Sequence, residues 1–234
     1  MKGGAWFTFL LAAIALTPHL VQVQGSAGQG SAAGTITGNV KLTTRVRGTA
    51  LPANAYQPRG VGRQVPAGVP EIRNVIVYLR GAVARGPLQA VTREIRQEGE
   101  TFQPRVLAIT RGSSVSFPNA DPYFHNVFSL SSAATFNLGR FPQHQTRVRE
   151  FTKAGLVKVY CQIHSHMSAT IMVLDHPYFT TPDLDGSFTL PQVPEGRYTI
   201  VGWHERVGEQ RSTIQIEAGR TASVELSLPL GDAP

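Results

Sequence analysis

Apolar residues recur mostly at every second position, in short runs broken by glycine, proline, asparagine and aspartate. That is the period of half-buried strands, and long helical patterns are scarce. Residues 35–46 alternate in this way, and 48–70, with Pro52, Pro58, Pro66 and Pro70, read as a long irregular connection. From Ile72 the pattern sharpens. Residues 75–79 are a continuous apolar run suited to a buried strand, and 101–110 alternate. Arg111-Gly112-Ser113 is a turn, 115–117 alternate again, and Pro118-Asn119 ends that run. A further strand is expected at 127–130. Residues 147–151 and 156–160 flank the Ala154-Gly155 turn and predict a hairpin. With 170–174 this makes about seven short strands in ~100 residues, the number a β-sandwich needs.

Residues 176–182 look like a linker, and a second strand-rich module follows. Asp183-Leu184-Asp185-Gly186 is a turn before the alternating run 187–190. Pro194-Glu195-Gly196 is a turn before 197–201, and 212–216 and 222–228 are joined across 217–220. Four strands in about 55 residues make a marginal sandwich alone. Residues 35–46 are therefore expected to add a strand to it, which would make the intervening module an insertion. The expected class is all-β: a Greek-key β-sandwich over 72–175, followed by a second small β-sandwich over 176–234. Residues 26–71 would be the linker and N-terminal strand.

Residues 1–25 have the layout of a secretory signal peptide. Lys2 supplies the positive start, and 5–16 are apolar but shorter than the ~20 residues of a membrane span. Val23-Gln24-Gly25 offers a cleavage region ahead of a polar, small-residue run. The expectation is export to the periplasm; an uncleaved segment would instead act as an N-terminal anchor. No later segment approaches spanning length, so no stable membrane insertion is expected after cleavage.

Apolar residues make up 41% of the 234 positions, enough for a real core. The formal net charge is +7, from 22 basic and 15 acidic residues. The arginines are scattered, without the dense runs and interleaved aromatics of nucleic-acid modules, which argues against that class. A basic surface suits an acidic partner or an anionic membrane surface. There is one cysteine, Cys161, so no intrachain disulfide can form. A lone thiol in an exported protein is open to oxidation unless it is buried or ligated.

Cys161 opens the stretch Cys161-Gln162-Ile163-His164-Ser165-His166-Met167, between the strands expected at 156–160 and 170–174. A strand end aims the thiolate, a short turn returns an imidazole toward it, and three residues on a thioether comes within reach. His125, ahead of the strand at 127–130, is the natural second imidazole. A thiolate, two imidazoles and a weak axial thioether form the ligand set of mononuclear blue-copper centres. Histidine at 166 competes with Met167 for the fourth place.

These residues resemble the cupredoxins. The resemblance rests on Val115-Ser116-Phe117-Pro118-Asn119, His125-Asn126, and Cys161, His164 and Met167, and covers roughly 72–175. The short ligand loop is most similar to that of amicyanin. The resemblance implies one type 1 copper ion on His125, Cys161, His164 and Met167. It also implies that the Asn126 side chain ties the two ligand loops together. Downstream, Asp183 to Tyr198 follows the pattern Asp-x-Asp-Gly-x-Phe-x-Leu-x-x-Val-Pro-x-Gly-x-Tyr and resembles the carboxypeptidase regulatory-like domains. Asp183 and Asp185 read as a turn, since their spacing is too sparse for a calcium loop. The combination of the two modules is similar to bacterial proteins described as methylamine-utilisation-like.

The expected function is one-electron transfer to or from a periplasmic redox protein, with an acidic partner favoured by the basic surface. Docking would use an apolar ring of Ile163, Met167, Phe141 and Pro142 around His164. The alternatives are a copper carrier or sensor without electron transfer, and a binding or scaffold module with a degenerate site. No serine-triad, phosphate-loop, dinucleotide-fold or zinc-protease motif is present, and the histidines needed for further copper sites are lacking. An enzyme is not expected. His144 reads as a surface residue, and His176 and His204 as neighbours of Tyr178 and Trp203 near a module boundary.

Overall fold

The computed structural model describes residue 1, residues 33–43 and residues 70–230. The rest of the expected signal segment, the linker after it and most of the proline-rich connection lie outside the described residues. What is described is almost entirely strand. Strands are numbered in chain order.

The strands form two pairs of facing sheets. In the outer sheet of the first pair, β1 (Ala33–Leu42) lies between β14 (Ser187–Pro194) and β17 (Thr221–Leu228). It runs antiparallel to β14 and parallel to β17. Gly38 of β1 sits beneath the Phe188 ring and the Val224 carbonyl, where a Cβ would not fit. Facing this sheet is the order β13 (Phe179–Thr180), β2 (Val75–Arg80), β15 (Gly196–His204), β16 (Gly208–Ile216). Ile36, Val40, Val75, Val77, Leu79, Ile200, Ile216 and Leu228 fill the space between them.

The second pair carries the cysteine. Its larger sheet has the order β6 (Val106–Thr110), β12 (Ser168–Leu174), β11 (Gly155–Tyr160), β8 (His125–Ser131), β9 (Ala134–Phe141). Its smaller sheet is β10 (Thr146–Glu150), β7 (Ser114–Pro118), β3 (Thr92–Glu94). Phe117, Phe141, Phe151, Val157, Val159, Ile171 and their neighbours form its core. A small hairpin, β4 (Arg96–Glu98) with β5 (Thr101–Gln103), stands beside β7.

The two inner sheets also pack on each other. Successive side chains of a strand point to opposite faces. So Val75, Val77 and Leu79 of β2 enter one core, while Ile76 joins Val106, Met172, Val201 and Trp203 in another. The same division runs along β12, where Ala169, Ile171 and Val173 face the cysteine-bearing core and Met172 faces the inter-module cluster. Beside that cluster lies Glu205, its side chain 9% exposed. It pairs with Arg105, which precedes β6, and with Lys158 of β11 at 3.3 Å, and it accepts a 3.1 Å hydrogen bond from Thr170 of β12. Burial pushes the Glu205 carboxyl up, but the two cations outweigh this and hold its pKa below the ordinary value of 4.5.

Three strand expectations change. Strand β2, placed by sequence within the 72–175 module, is hydrogen-bonded to β13 and β15 of the other sandwich, because its run is apolar on both faces. The expected hairpin of 147–151 with 156–160 does not form. β10 pairs with β7 and β11 pairs with β12 and β8, so residues 151–154 cross between sheets, anchored by the buried Phe151. The run 101–110 is divided at Pro104, which has no N–H to offer a ladder, into β5 and β6 of different sheets.

A group whose folded-state pKa is depressed stabilises the fold above its unfolded-state pKa, and this is lost as the pH falls through the folded value. Glu205→Gln should therefore lower the urea midpoint at pH 7 and flatten the fall in stability below about pH 4.5. Urea unfolding followed across pH 2–7 checks this, and an unchanged acid limb would contradict the assigned role.

Candidate metal centre

His125 is the first residue of β8, and Cys161 follows β11 directly. The loop 161–167 is closed by its own backbone. The Met167 N–H donates to the His164 carbonyl at 2.9 Å, and the Cys161 N–H donates to the Met167 carbonyl at 3.3 Å. This turn folds His164 back over the strand end. The Nδ1 atoms of His125 and His164 lie 3.1 Å apart, and Cys161 Sγ lies 4.0 Å from His125 Nδ1. One donor atom each from His125, Cys161 and His164 falls within 4.8 Å of the other two. Among the described residues, these three form a group able to hold a metal ion.

The donor atoms are oriented from behind. The buried carboxylate of Asp121 accepts a 2.8 Å hydrogen bond from His125 Nε2. That places the ring proton on Nε2 and leaves the Nδ1 lone pair facing the cysteine and the second histidine. Asp121 is itself held by the N–H groups of Gly99 at 2.7 Å and Glu100 at 2.8 Å, at the tip of the β4–β5 hairpin. Burial pushes its carboxyl up. The Glu100 N–H, the His125 ring and the Gly99 N–H outweigh this, and the pKa lies below the ordinary 3.8. Cys161 is buried, and its sulfur accepts the Asn126 N–H at 3.5 Å.

His125, Cys161 and His164 would hold a cation through these three atoms. One soft sulfur with two imidazoles suits a soft or borderline transition metal, and among the described residues no carboxylate belongs to the group. Met167 is 1% exposed and lies in the same buried cluster as Cys161, Phe117 and Phe141. His166, with its side chain 49% exposed, pairs with Glu100 at 3.3 Å, and its ring lies 6.0 Å from that of His164.

Other expectations meet the structure with mixed results. The Asn126 side chain does not join the two ligand loops. Its Nδ2 donates to Asn137 and Gly139 of β9 at 2.8 and 3.0 Å, and the buried Oδ1 has no hydrogen-bond partner. The tie to the cysteine is made by the Asn126 backbone. The expected apolar ring is also different, since Phe141 and Met167 are buried, while Ile163, Tyr123 and Phe124 are exposed. His144 is exposed. His176 and His204 are buried: the first stacks on Tyr178, and the second donates from Nε2 to Glu71 at 3.0 Å. Sequence reasoning missed Asp121, although its four-residue separation from His125 was visible.

The chain has partial likenesses to known proteins. A family model described as polysaccharide lyase family 4, domain II, matches residues 163–224. No curated protein matches. Among solved structures, the chain is similar to a Cu-containing nitrite reductase (NirK) from Thermus scotoductus SA-01, with 27% identity and a TM-score of 0.33. That match covers 40% of this chain and 24% of the reductase, so the chain spans about a quarter of that protein's length. It is also similar to a purple cupredoxin from Nitrosopumilus maritimus, with 22% identity, a TM-score of 0.32, and coverage of 35% of this chain and 98% of that one. A variant of amicyanin in its reduced state matches at 20% identity and a TM-score of 0.33, covering 36% of this chain and 82% of that one.

Removing the group that orients a ligating histidine typically costs 10- to 100-fold in metal affinity. Asp121→Asn should weaken Cu(II) binding by about that factor. Competition titration against a chelator of known affinity checks this, and an unchanged affinity would show that the hydrogen bond plays no part in orienting His125.

Proposed function

We propose that the chain is an exported, periplasmic copper protein that passes single electrons to and from a redox partner. The observation that carries this is the grouping of one buried thiolate and two imidazoles within 4.8 Å, with a buried methionine at the end of the same loop. Copper bound there would supply a reversible one-electron couple. His125, Cys161 and His164 would hold it, and Met167, not His166, would take the weak fourth position. This fourth assignment is supported by burial: Met167 lies among the residues packed around Cys161, and His166 is turned to solvent against Glu100.

The residues around the group serve electron transfer better than substrate chemistry. His125 is pinned between Asp121 and the donor pair, and the ligand loop is closed by its own hydrogen bonds. A donor set held in place before the metal arrives changes little when the metal's charge changes. His164 is the half-buried member of the set, and Ile163, Tyr123 and Phe124 leave an apolar surface beside it and beside His125. Such a surface suits a brief encounter more than a lasting complex. We assign no enzymatic activity to the chain.

Export rests on the composition of residues 1–25. Among the described residues no helix is long and apolar enough to cross a membrane. The second sandwich, similar in sequence to carboxypeptidase regulatory-like domains, has no role in the chemistry here; it serves attachment or partner choice.

Adding Cu(II) to the purified chain should give an intense thiolate-to-copper visible band and the EPR signature of a type 1 site. Cys161→Ser should abolish the band. Met167→Ala should alter it, and His166→Ala should leave it unchanged. A colourless protein with loosely bound copper would contradict the proposal, and a band that responds to His166→Ala would give His166 the fourth place.

A further inference from the structure

Strand β10 is exposed along its whole length, and its arginines are arranged by the strand's alternation. Arg147 and Arg149 share one face, while Thr146, Val148 and Glu150 point to the other. The Arg147 guanidinium lies over the Phe141 ring at 5.5 Å, and that of Arg149 lies over Phe136 at 5.6 Å. Phe136 and Phe141 belong to β9, the edge strand of the facing sheet. The two arginines thus lie along this edge of the sandwich with their guanidinium groups over aromatic rings. Arg140, also exposed, adjoins Phe141 in the chain. Arg140, Arg147 and Arg149 have no ion-pair partner among the described residues, whereas Arg80, Arg96, Arg105, Arg111 and Arg211 each have one. Glu150 is close in sequence, but its side chain lies on the other face of β10 and makes no ion pair with them.

This charge lies beside the metal centre. Phe141, under Arg147, is the ladder partner of His125, and Arg140 is the partner of Asn126. The exposed Tyr123 and Phe124 immediately precede His125. Apolar contact and uncompensated positive charge therefore meet at one edge of the sandwich.

The geometry points to this edge as the docking surface for an acidic protein. Carboxylates of the partner would accept hydrogen bonds from Arg140, Arg147 and Arg149, which are planar donors suited to paired contacts. The apolar residues would bring the partner's redox group toward His125 and His164. That this partner exchanges electrons rests on the copper reading; that an acidic chain binds here does not. Because the charges are exposed, attraction should weaken steeply with salt.

The test uses the full chain, metal-free and copper-loaded, titrated with poly-L-glutamate at low ionic strength while backbone amide shifts are followed. The expected shifts are confined to β9, β10 and the residues before His125, and salt should reverse them. Arg147→Gln with Arg149→Gln keeps a polar side chain at each position without the charge and should weaken binding about fivefold, as expected for two exposed charge pairs. Arg85→Gln with Arg197→Gln removes the same charge elsewhere and should have a smaller effect. Equal loss in both double variants, or shifts away from this edge, would overturn the assignment. So would binding to phosphatidylglycerol vesicles without any response to poly-L-glutamate, which would make the surface a membrane contact. A failure of the copper reading would show as a missing visible band, with the metal-free titration unaffected.

Discussion

A strand buried on both faces cannot slip by one residue without exchanging two sets of core side chains, and β12 is such a strand. Ala169, Ile171 and Val173 pack in the cysteine-bearing sandwich, and Met172 packs against Ile76, Val201 and Trp203 of the other. Thr170, between them, binds Glu205. The register of β12 against β11 is therefore set from two sides, with Tyr160 opposite Ser168 at the open end of the pair. The ligand loop connects these two residues. Fixing its ends fixes where Cys161 leaves one strand and where Met167 enters the other.

The donor group depends on that frame and on a few polar contacts within it. Two imidazole nitrogens 3.1 Å apart, beside a buried sulfur, can share a hydrogen bond when no metal is bound, and the same three atoms could turn to a cation. Asp121 completes the balance: it is a buried carboxylate held by two backbone N–H groups, and it keeps the His125 ring in the tautomer that can ligate. Through Gly99 and Glu100 the β4–β5 hairpin supports the rear of the site, and the Glu100 side chain also pairs with His166. One small hairpin thus serves both sides of the ligand set.

Much of this was legible in the sequence. The period-two pattern, with its turn residues, located most strands of both modules, and the sequence singled out His125, Cys161 and His164, which the fold brings together. Other features depend on partners distant in the chain. The apolar run of β2 looks alike whichever sandwich it joins, and only its ladders with β13 and β15, distant in the chain, decide the matter. Strands β10 and β11 look like a hairpin because the Ala154-Gly155 turn is local, whereas the burial of Phe151 that separates them is not. Strand β9 was missed although Ala134, Phe136 and Leu138 alternate with polar residues as a strand requires. The choice between His166 and Met167 could not be made from spacing, since both are within reach; in the fold they differ in burial, Met167 being 1% exposed and the His166 side chain 49% exposed.

The claim on which the rest depends is that one metal ion binds to this thiolate and these two imidazoles. X-ray absorption at the copper edge, on the full chain loaded with one equivalent of copper, probes that sphere most directly. The account predicts one short copper–sulfur bond and two imidazole nitrogens, and it predicts that Cys161→Ser abolishes the copper–sulfur bond. A coordination sphere of nitrogen and oxygen alone in the unaltered chain would contradict it.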